Sequence, residues 1–316
     1  MIPKNLVFIC AQPHADYFAW QVEVLLTNFR EKGITGAQIL VYYPKNEPLN
    51  PVWQKLINKY KESKFFFYSD EGDGVDVNFY IPQLRPHILK QHFRIFENDF
   101  KDKIFFYHDC DILFNYLPDF SVLCNDDICW ESNTSGYLDY TYLSGKEAQG
   151  KISPGEVVDE LAKIGGISSE IIKKYDKKSG GAQYVLKDID HTFWQEVEDI
   201  CLKVRRYLMI DINTKYFPSE SDGFQSWCAD MWAVNFVLWE REKITDVTSL
   251  LDFSWATDHI DTFYKKPIYH NAGATSKSKG LFYKAAWINR NPLGRRFAVS
   301  KNFASYKYVE AMYKVK

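Results

Sequence analysis

The sequence predicts an α/β fold, a parallel sheet covered by helices, and three observations carry that expectation. Short apolar, β-prone runs alternate with amphipathic stretches through the first hundred residues. With 316 residues, 46% of them hydrophobic, the chain buries a large core. The central run Ile104–Phe114 is apolar at both ends and broken by His108, Asp109 and Asp111, the pattern of a buried strand that delivers carboxylates to its end.

Taken in order, residues 5–11 read as the first strand. Tyr17–Lys32 follows as a helix with Phe18, Val22, Leu25, Leu26 and Phe29 on one side, stopped at Gly33. Gln38–Tyr43 is a second strand ended by Pro44, Pro51–Tyr60 a short helix, and Phe65–Tyr68 a third strand. Residues 69–78, with three Asp, one Glu and two Gly, read as a loop at a strand's carboxyl end, where open α/β sheets bind ligands. Residues 82–97 form a helix with Ile88, Leu89, Phe93 and Phe96 as its buried stripe, and Ile128–Glu131 is a short strand. Residues 132–178 are polar and mixed, with helices at Pro154–Lys163 and Ser168–Tyr175, and read as an inserted lid or acceptor region. Ser179–Gln183 leads into the strand Tyr184–Leu186, Asp190 caps a helix over His191–Arg206, and residues 227–240 form a Trp-rich helix. Ile268–His270 ends one more apolar piece. No internal repeat appears, so the expected division is one domain over residues 1–275 with a basic, aromatic extension, 276–316, packed on it.

Composition narrows the class. No stretch is long and apolar enough to span a membrane, and the first residues lack the ordered regions of a signal peptide. The six cysteines are scattered without metal-type spacing, which together suggests a cytoplasmic protein with reduced thiols. Net charge is −2, yet residues 263–316 hold twelve Lys or Arg against one acid, Glu310. Interleaved with Phe282, Trp287 and Phe303, these charges suit an anionic partner or simply offset an acidic body.

Four motifs carry chemistry. Asp109-Cys110-Asp111, flanked by apolar residues, is costly unless a cation sits there. Oxygen ligands suit Mg²⁺ or Mn²⁺, and an added imidazole favours Mn²⁺. His270-Asn271-Ala272-Gly273 offers that imidazole, a glycine for close approach to phosphate, and Lys277 and Lys279 just beyond. Within Gln225–Ala233, Asp230 is either a carboxylate favoured by a helix N-terminus or a group facing a cavity that handles an acceptor hydroxyl. Ser179-Gly180-Gly181-Ala182-Gln183 is either a plain turn or a close-contact ligand segment. No phosphate-cradling Gly-rich lysine loop is present, which argues against phosphoryl transfer.

In this order the four motifs resemble a GT-A nucleotide-sugar glycosyltransferase. Tyr17-Phe18-Ala19-Trp20-Gln21, Ser179–Gln183 and Trp227–Met231 look like the peptidyl hydroxyproline O-arabinosyltransferase group, and His270-x-x-Gly273 is similar to the late metal motif of retaining galactosyltransferases. The resemblance implies a Rossmann-like, mixed, mostly parallel sheet flanked by helices. It implies Asp109, Asp111 and His270 as ligands of Mn²⁺ (or Mg²⁺), Ala11 and Gln12 near the nucleotide base, and Arg85 at the diphosphate or donor sugar. It also places Gly180, Gly181 and Gln183 along that sugar, and Asp230 with Trp227 at the acceptor. Asp230 is then a general base if transfer inverts and a positioning group if it retains. The expected activity is transfer of a sugar, a pentose such as arabinose among the candidates, from a UDP-sugar to a hydroxyl. The basic aromatic C-terminus, with Arg295 and Arg296, points to a hydroxymethylated pyrimidine in DNA. A glycan or peptidyl hydroxyl, or a non-catalytic binding protein on the same fold, are the alternatives.

Overall fold

The structure is a computed structural model and describes residues 2–44, 47–69, 79–219 and 221–316. All but the first residue of the acidic stretch 69–78, expected as a loop, lies outside the described residues. The fold is α/β, with a mixed, mostly parallel seven-stranded sheet flanked by helices. Its strands run β1 Leu6–Pro13, β2 Gln38–Tyr42, β3 Lys64–Tyr68, β4 Ile104–His108, then β6 Ile128–Asn133, β7 Gly180–Lys187 and β8 Ile244–Val247, in the order β3-β2-β1-β4-β7-β6-β8. A second sheet of three strands orders β5 Ile112–Phe114, β10 Ile268–His270 and β9 Phe253–Trp255. Among the described residues, no helix is long and apolar enough to cross a membrane.

The chain divides into two compact units, residues 1–70, 106–122 and 249–316 in the first and residues 71–105 and 123–248 in the second. In the first unit β1, β2 and β3 pair in parallel, with Ile9 opposite Gln38 and Gln38 opposite Lys64. The helix Asp16–Glu31 between β1 and β2 buries Trp20, Val24, Leu25 and Phe29, the spacing of one helical face. Phe8, Phe29, Phe106, Phe114 and Phe120 form an aromatic cluster, with Phe8 5.4 Å from Phe106 and Phe106 5.2 Å from Phe120. Each such side chain contributes about 1.5–3 kcal/mol by leaving water.

The run 104–114 is two strands rather than one. It leaves β4 at His108, turns through 109–111, and enters β5 in the other sheet. Asn28 ties down the exit. Its side-chain amide donates to the Phe114 carbonyl at 3.1 Å and accepts from the Phe114 N–H at 2.8 Å, so a buried peptide on β5 keeps both hydrogen bonds.

Residues 276–316 belong to the first unit. They contain a helix, Ser305–Lys314, which the sequence reading did not anticipate. Its Tyr308, Val309 and Met312 are buried with Trp20, Tyr269 and Phe282 in one core. In the second unit the antiparallel pair β6 and β7 makes the sheet mixed, and β6 pairs β8 in parallel. Helices Leu84–Ile95, His191–Arg206 and Ala229–Glu240 lie in this unit. Asp190 caps the middle one by accepting from the Phe193 N–H at 2.8 Å, as its position predicts. The expected helices at 154–163 and 168–175 form at Glu156–Ile164 and Ser169–Lys174, and a further one, Tyr140–Gly150, precedes them.

Candidate metal centre and a second acidic site

Asp109, Asp111 and His270 come together in the first unit, each offering a ligand atom within 4.8 Å of the others. Strand pairing assembles them. β5 and β10 are antiparallel with Ile112 opposite His270, and the Asn271 N–H donates to the Asp111 carbonyl at 3.0 Å. A histidine far along the chain thereby lands beside the residue before β5. Its Nε2 lies 3.3 Å from an oxygen of Asp109 and 3.3 Å from one of Asp111. The ring is fixed by a stack on Trp255 of β9, 5.8 Å away and tilted 20°, and by an edge contact with Phe253.

His108 is set apart from this cluster. It is buried against Phe106 and Phe29, and its Nδ1 donates to the Asp109 carbonyl at 2.9 Å. Burial lowers its pKa to about 4, so the ring is neutral and acts as a core aromatic that shapes the turn.

Lys284, not singled out from the sequence, ion-pairs with Asp111. It opens a short 3₁₀ turn, Lys284–Trp287, two residues after Phe282, which is buried and whose N–H donates to Ser305 Oγ at 2.8 Å. Burial works against an ionised Asp111, but Lys284 and His270 outweigh it and hold the carboxyl well below its usual range. Burial likewise opposes a charged His270, and Asp111 and Asp109 overcome it, pushing the imidazole up to about 9. Burial sets Tyr17 at about 12, with Lys284 and Asp111 among its neighbours. The two carboxylates are thus balanced by two cationic side chains. Two carboxylates and one imidazole converging on one point fit a divalent cation of the Mn²⁺ or Mg²⁺ type.

The other expected donor residues of this unit are placed as follows. Ala11 and Gln12 are buried at the carboxyl end of β1. Gln12 Nε2 donates to the Leu40 carbonyl at 2.6 Å, while its Oε1 has no hydrogen-bond partner among the described residues. Gly273 has φ +87°, a conformation that suits glycine. Lys277 and Lys279 stand exposed on the turn beyond it, as do Arg295 and Arg296 farther on.

A separate acidic site is built in the second unit. Asp230 sits in the first turn of the helix Ala229–Glu240. Tyr80, wholly buried, shares its hydroxyl proton between Asp230 Oδ1 at 2.9 Å and the Trp227 carbonyl at 2.7 Å, and accepts from the Asp230 N–H at 3.0 Å. Arg85 lies 3.3 Å from the other Asp230 oxygen. The Trp227 ring meets Tyr80 edge-on at 5.7 Å and is 53% exposed. The Arg205 guanidinium sits 5.6 Å from the Tyr80 ring centre and 5.8 Å from that of Trp227. Asp230, gripped on both oxygens beside an exposed indole, is equipped to accept a hydrogen bond from a ligand hydroxyl. Gly180, Gly181 and Gln183 also fall in this unit, at the start of β7, and all three are buried.

No family model matches the sequence, and no curated protein matches it. Solved structures do. The bifunctional glycosyltransferase WbbM superposes with a TM-score of 0.52 at 11% identity over 99% of this chain. The chain spans about half of that structure, 51% of its length. Mouse xyloside xylosyltransferase 1 gives 0.40 at 11% identity over 86% of this chain and 98% of its own. The galactosyltransferase LgtC gives 0.41 at 13% identity over 97% and 95%. The first likeness is one of fold, GT-A-like in layout, and the other two are too loose to carry an argument.

The balance at Asp111 yields a prediction. Lys284→Met leaves a buried carboxylate short of one cation and destabilises the metal-free protein by about 3 kcal/mol. Added Mn²⁺ restores most of the loss, because it takes up the same charge. Urea melts of both proteins with and without Mn²⁺ measure this, and a loss that Mn²⁺ leaves untouched would contradict the assigned cation site.

Proposed function

We propose that the chain is a metal-dependent glycosyltransferase that moves a sugar from a nucleotide sugar, a UDP-sugar, to a hydroxyl acceptor. The observation that carries this is the convergence of Asp109, Asp111 and His270, with Lys284 beside them, on a fold shared with a glycosyltransferase. Asp109, Asp111 and His270 hold Mn²⁺ or Mg²⁺. When bound, the cation neutralises the charge that grows on the leaving diphosphate. Lys284 adds positive charge to the same diphosphate, as do Lys277 and Lys279 from the exposed turn. Gly273 lets the backbone approach phosphate closely. Gln12, whose Oε1 has no partner among the described residues, and Ala11 read the base.

Gly180, Gly181 and Gln183 line the donor sugar, for which a pentose such as arabinose is the choice suggested by the arabinosyltransferase-like motifs. Asp230 orients the attacking hydroxyl, held in place by Tyr80 and Arg85, and takes its proton if transfer inverts the anomeric centre. Trp227 stacks against the acceptor.

The acceptor we favour is a hydroxymethylated pyrimidine in DNA. Its support is the basic C-terminal segment, where Trp287 lies 4.3 Å from the Arg290 guanidinium and 5.4 Å from that of Arg295. Such cation-flanked indoles suit a phosphate backbone and a base out of its stack. A glycan or peptidyl hydroxyl is the second reading, favoured by the exposed Trp227 beside Asp230.

Two outcomes are expected. In a thermal-shift screen of UDP-sugars, one donor raises the melting temperature only with Mn²⁺ present, and Asp111→Asn loses both that shift and donor hydrolysis. Metal-independent binding would count against the carboxylate pair, and binding without turnover toward any acceptor would make the chain a binding module. In fluorescence anisotropy, affinity for DNA falls linearly on a log–log plot against salt and drops further in Arg295→Glu/Arg296→Glu. Absent or salt-insensitive binding would remove DNA as the acceptor.

A further inference from the structure

The second unit holds a buried acid that the proposed reaction does not use. Glu131 on β6 and Asn235 on the helix Ala229–Glu240 are both fully buried. Between them they hold both polar groups of Gly180. The Gly180 N–H donates to Glu131 Oε2, and Asn235 Nδ2 donates to the Gly180 carbonyl at 3.1 Å and to the Met231 carbonyl at 3.0 Å.

This grip falls on an irregular part of the sheet. The pairing of β6 with β7 shifts register between Glu131 and Asn133. Glu131 faces Tyr184 while Asn133 faces Gly180, so β7 carries two extra residues there. Ala182 within the bulge has φ +70°, a left-handed conformation that a residue with a side chain rarely adopts. Gly180 approaches β6 so closely that a Cβ would stand 2.0 Å from the Ser132 carbonyl oxygen. Bulges of this kind re-aim side chains, and they need something to hold them.

Proton counting completes the picture. With Glu131 ionised, its Oε1 and the Asn235 Oδ1 are two buried acceptors with no donor among the described residues, a costly state for both. A proton on Glu131 Oε1 turns one of these two acceptors into a donor. We propose that Glu131 and Asn235 form an acid–amide clamp on the Gly180 peptide and position the Gly180–Gln183 bulge against the donor sugar. The second half of this statement rests on the reading of that bulge as the sugar-lining segment.

The surroundings favour the protonated form. Burial pushes Glu131 up and Asp246 on β8 adds to the rise, while the Gly180 N–H and Asn235 pull down only in part, which leaves it at about 8. Among the described residues Asp246 is the charged group acting on Glu131 from the packed elements. Cys129 on β6 also interacts with it, β7 contributes the Gly180 N–H and sets Tyr184 opposite, and the helix contributes Asn235.

Glu131→Gln is the deciding variant, because its amide keeps an acceptor for the Gly180 N–H and an N–H donor where the acid carries its proton, with nothing to lose as pH rises. In the wild type, the unfolded chain releases the Glu131 proton near the ordinary glutamate value while the folded protein keeps it until about pH 8. Stability from this group is therefore whole in acid and is lost progressively as pH rises to about 8. Melting curves from pH 5 to 9.5 should show Glu131→Gln gaining on the wild type up to about pH 8 and holding a constant lead above it. Parallel curves would overturn the clamp. Binding of a UDP-sugar panel and of UDP, both with Mn²⁺, then tests positioning. Wild-type affinity for the preferred UDP-sugar should fall about tenfold above pH 8, affinity for UDP should not, and Glu131→Gln should remove the fall. The same fall in Glu131→Gln, or an equal fall for UDP, would overturn the positioning role. If the wild type binds neither compound at any pH, the proposed donor reading and the positioning role fail together, while the melting curves still decide the clamp.

Discussion

A buried carboxylate needs positive charge, and Asp111 sets that demand for the first unit. It is almost wholly out of water, where an isolated negative charge is prohibitive. Two surrounding elements meet the demand, and a third adds to it. β10 brings His270 through its pairing with β5, the segment after Phe282 brings Lys284, and the turn from β4 brings Asp109 as a second acid rather than a cation. Adding an acid raises the demand. A protein that concentrates two carboxylates and then balances them with an imidazole and an ammonium has built a place where a divalent ion can replace side-chain charge.

Glu131 is the counter-case. It too is fully buried, but its neighbours are a peptide N–H, an amide and another acid. Lacking a cation, it keeps its proton, whereas Asp111 between His270 and Lys284 loses its own. Two buried carboxyl groups in one chain thus take opposite charge states for reasons visible in their nearest contacts. One is suited to binding a cation and the other to holding a backbone bulge.

Much of the fold was legible because its early elements are local. The alternation of β1, β2 and β3 with the helices Asp16–Glu31 and Pro51–Lys59 follows periodicity and turn residues that act within a few positions. The pair Asp109 and Asp111 stood out because apolar flanks made its cost visible. His270 could be named as a candidate from its motif, but only strand pairing across more than a hundred and fifty residues brings it to the acids. Lys284 had no local mark. It is one of twelve basic residues after position 262, and what distinguishes it is the anchoring of Phe282 in the core. Tyr80, Arg205 and Asn235 were hidden for the same reason, since each acts through a partner distant in sequence. The helix Ser305–Lys314 escaped because its residues stood out in sequence only as part of the basic extension, and its buried face has meaning only against Trp20 and Tyr269. His108 shows the reverse error. Its neighbours in sequence suggested a polar patch, and its neighbours in space are phenylalanines.

The central claim is that Asp109, Asp111 and His270 bind one divalent cation. Electron paramagnetic resonance of the protein titrated with Mn²⁺ tests it most directly, because free Mn²⁺ gives a signal that bound Mn²⁺ loses, and pulsed spectra report nitrogen coupling from a ligating imidazole. The account predicts one bound Mn²⁺ per chain, nitrogen coupling that disappears in His270→Ala, and weakened binding in Asp109→Asn. No bound Mn²⁺, or binding indifferent to His270 and Asp109, would contradict it.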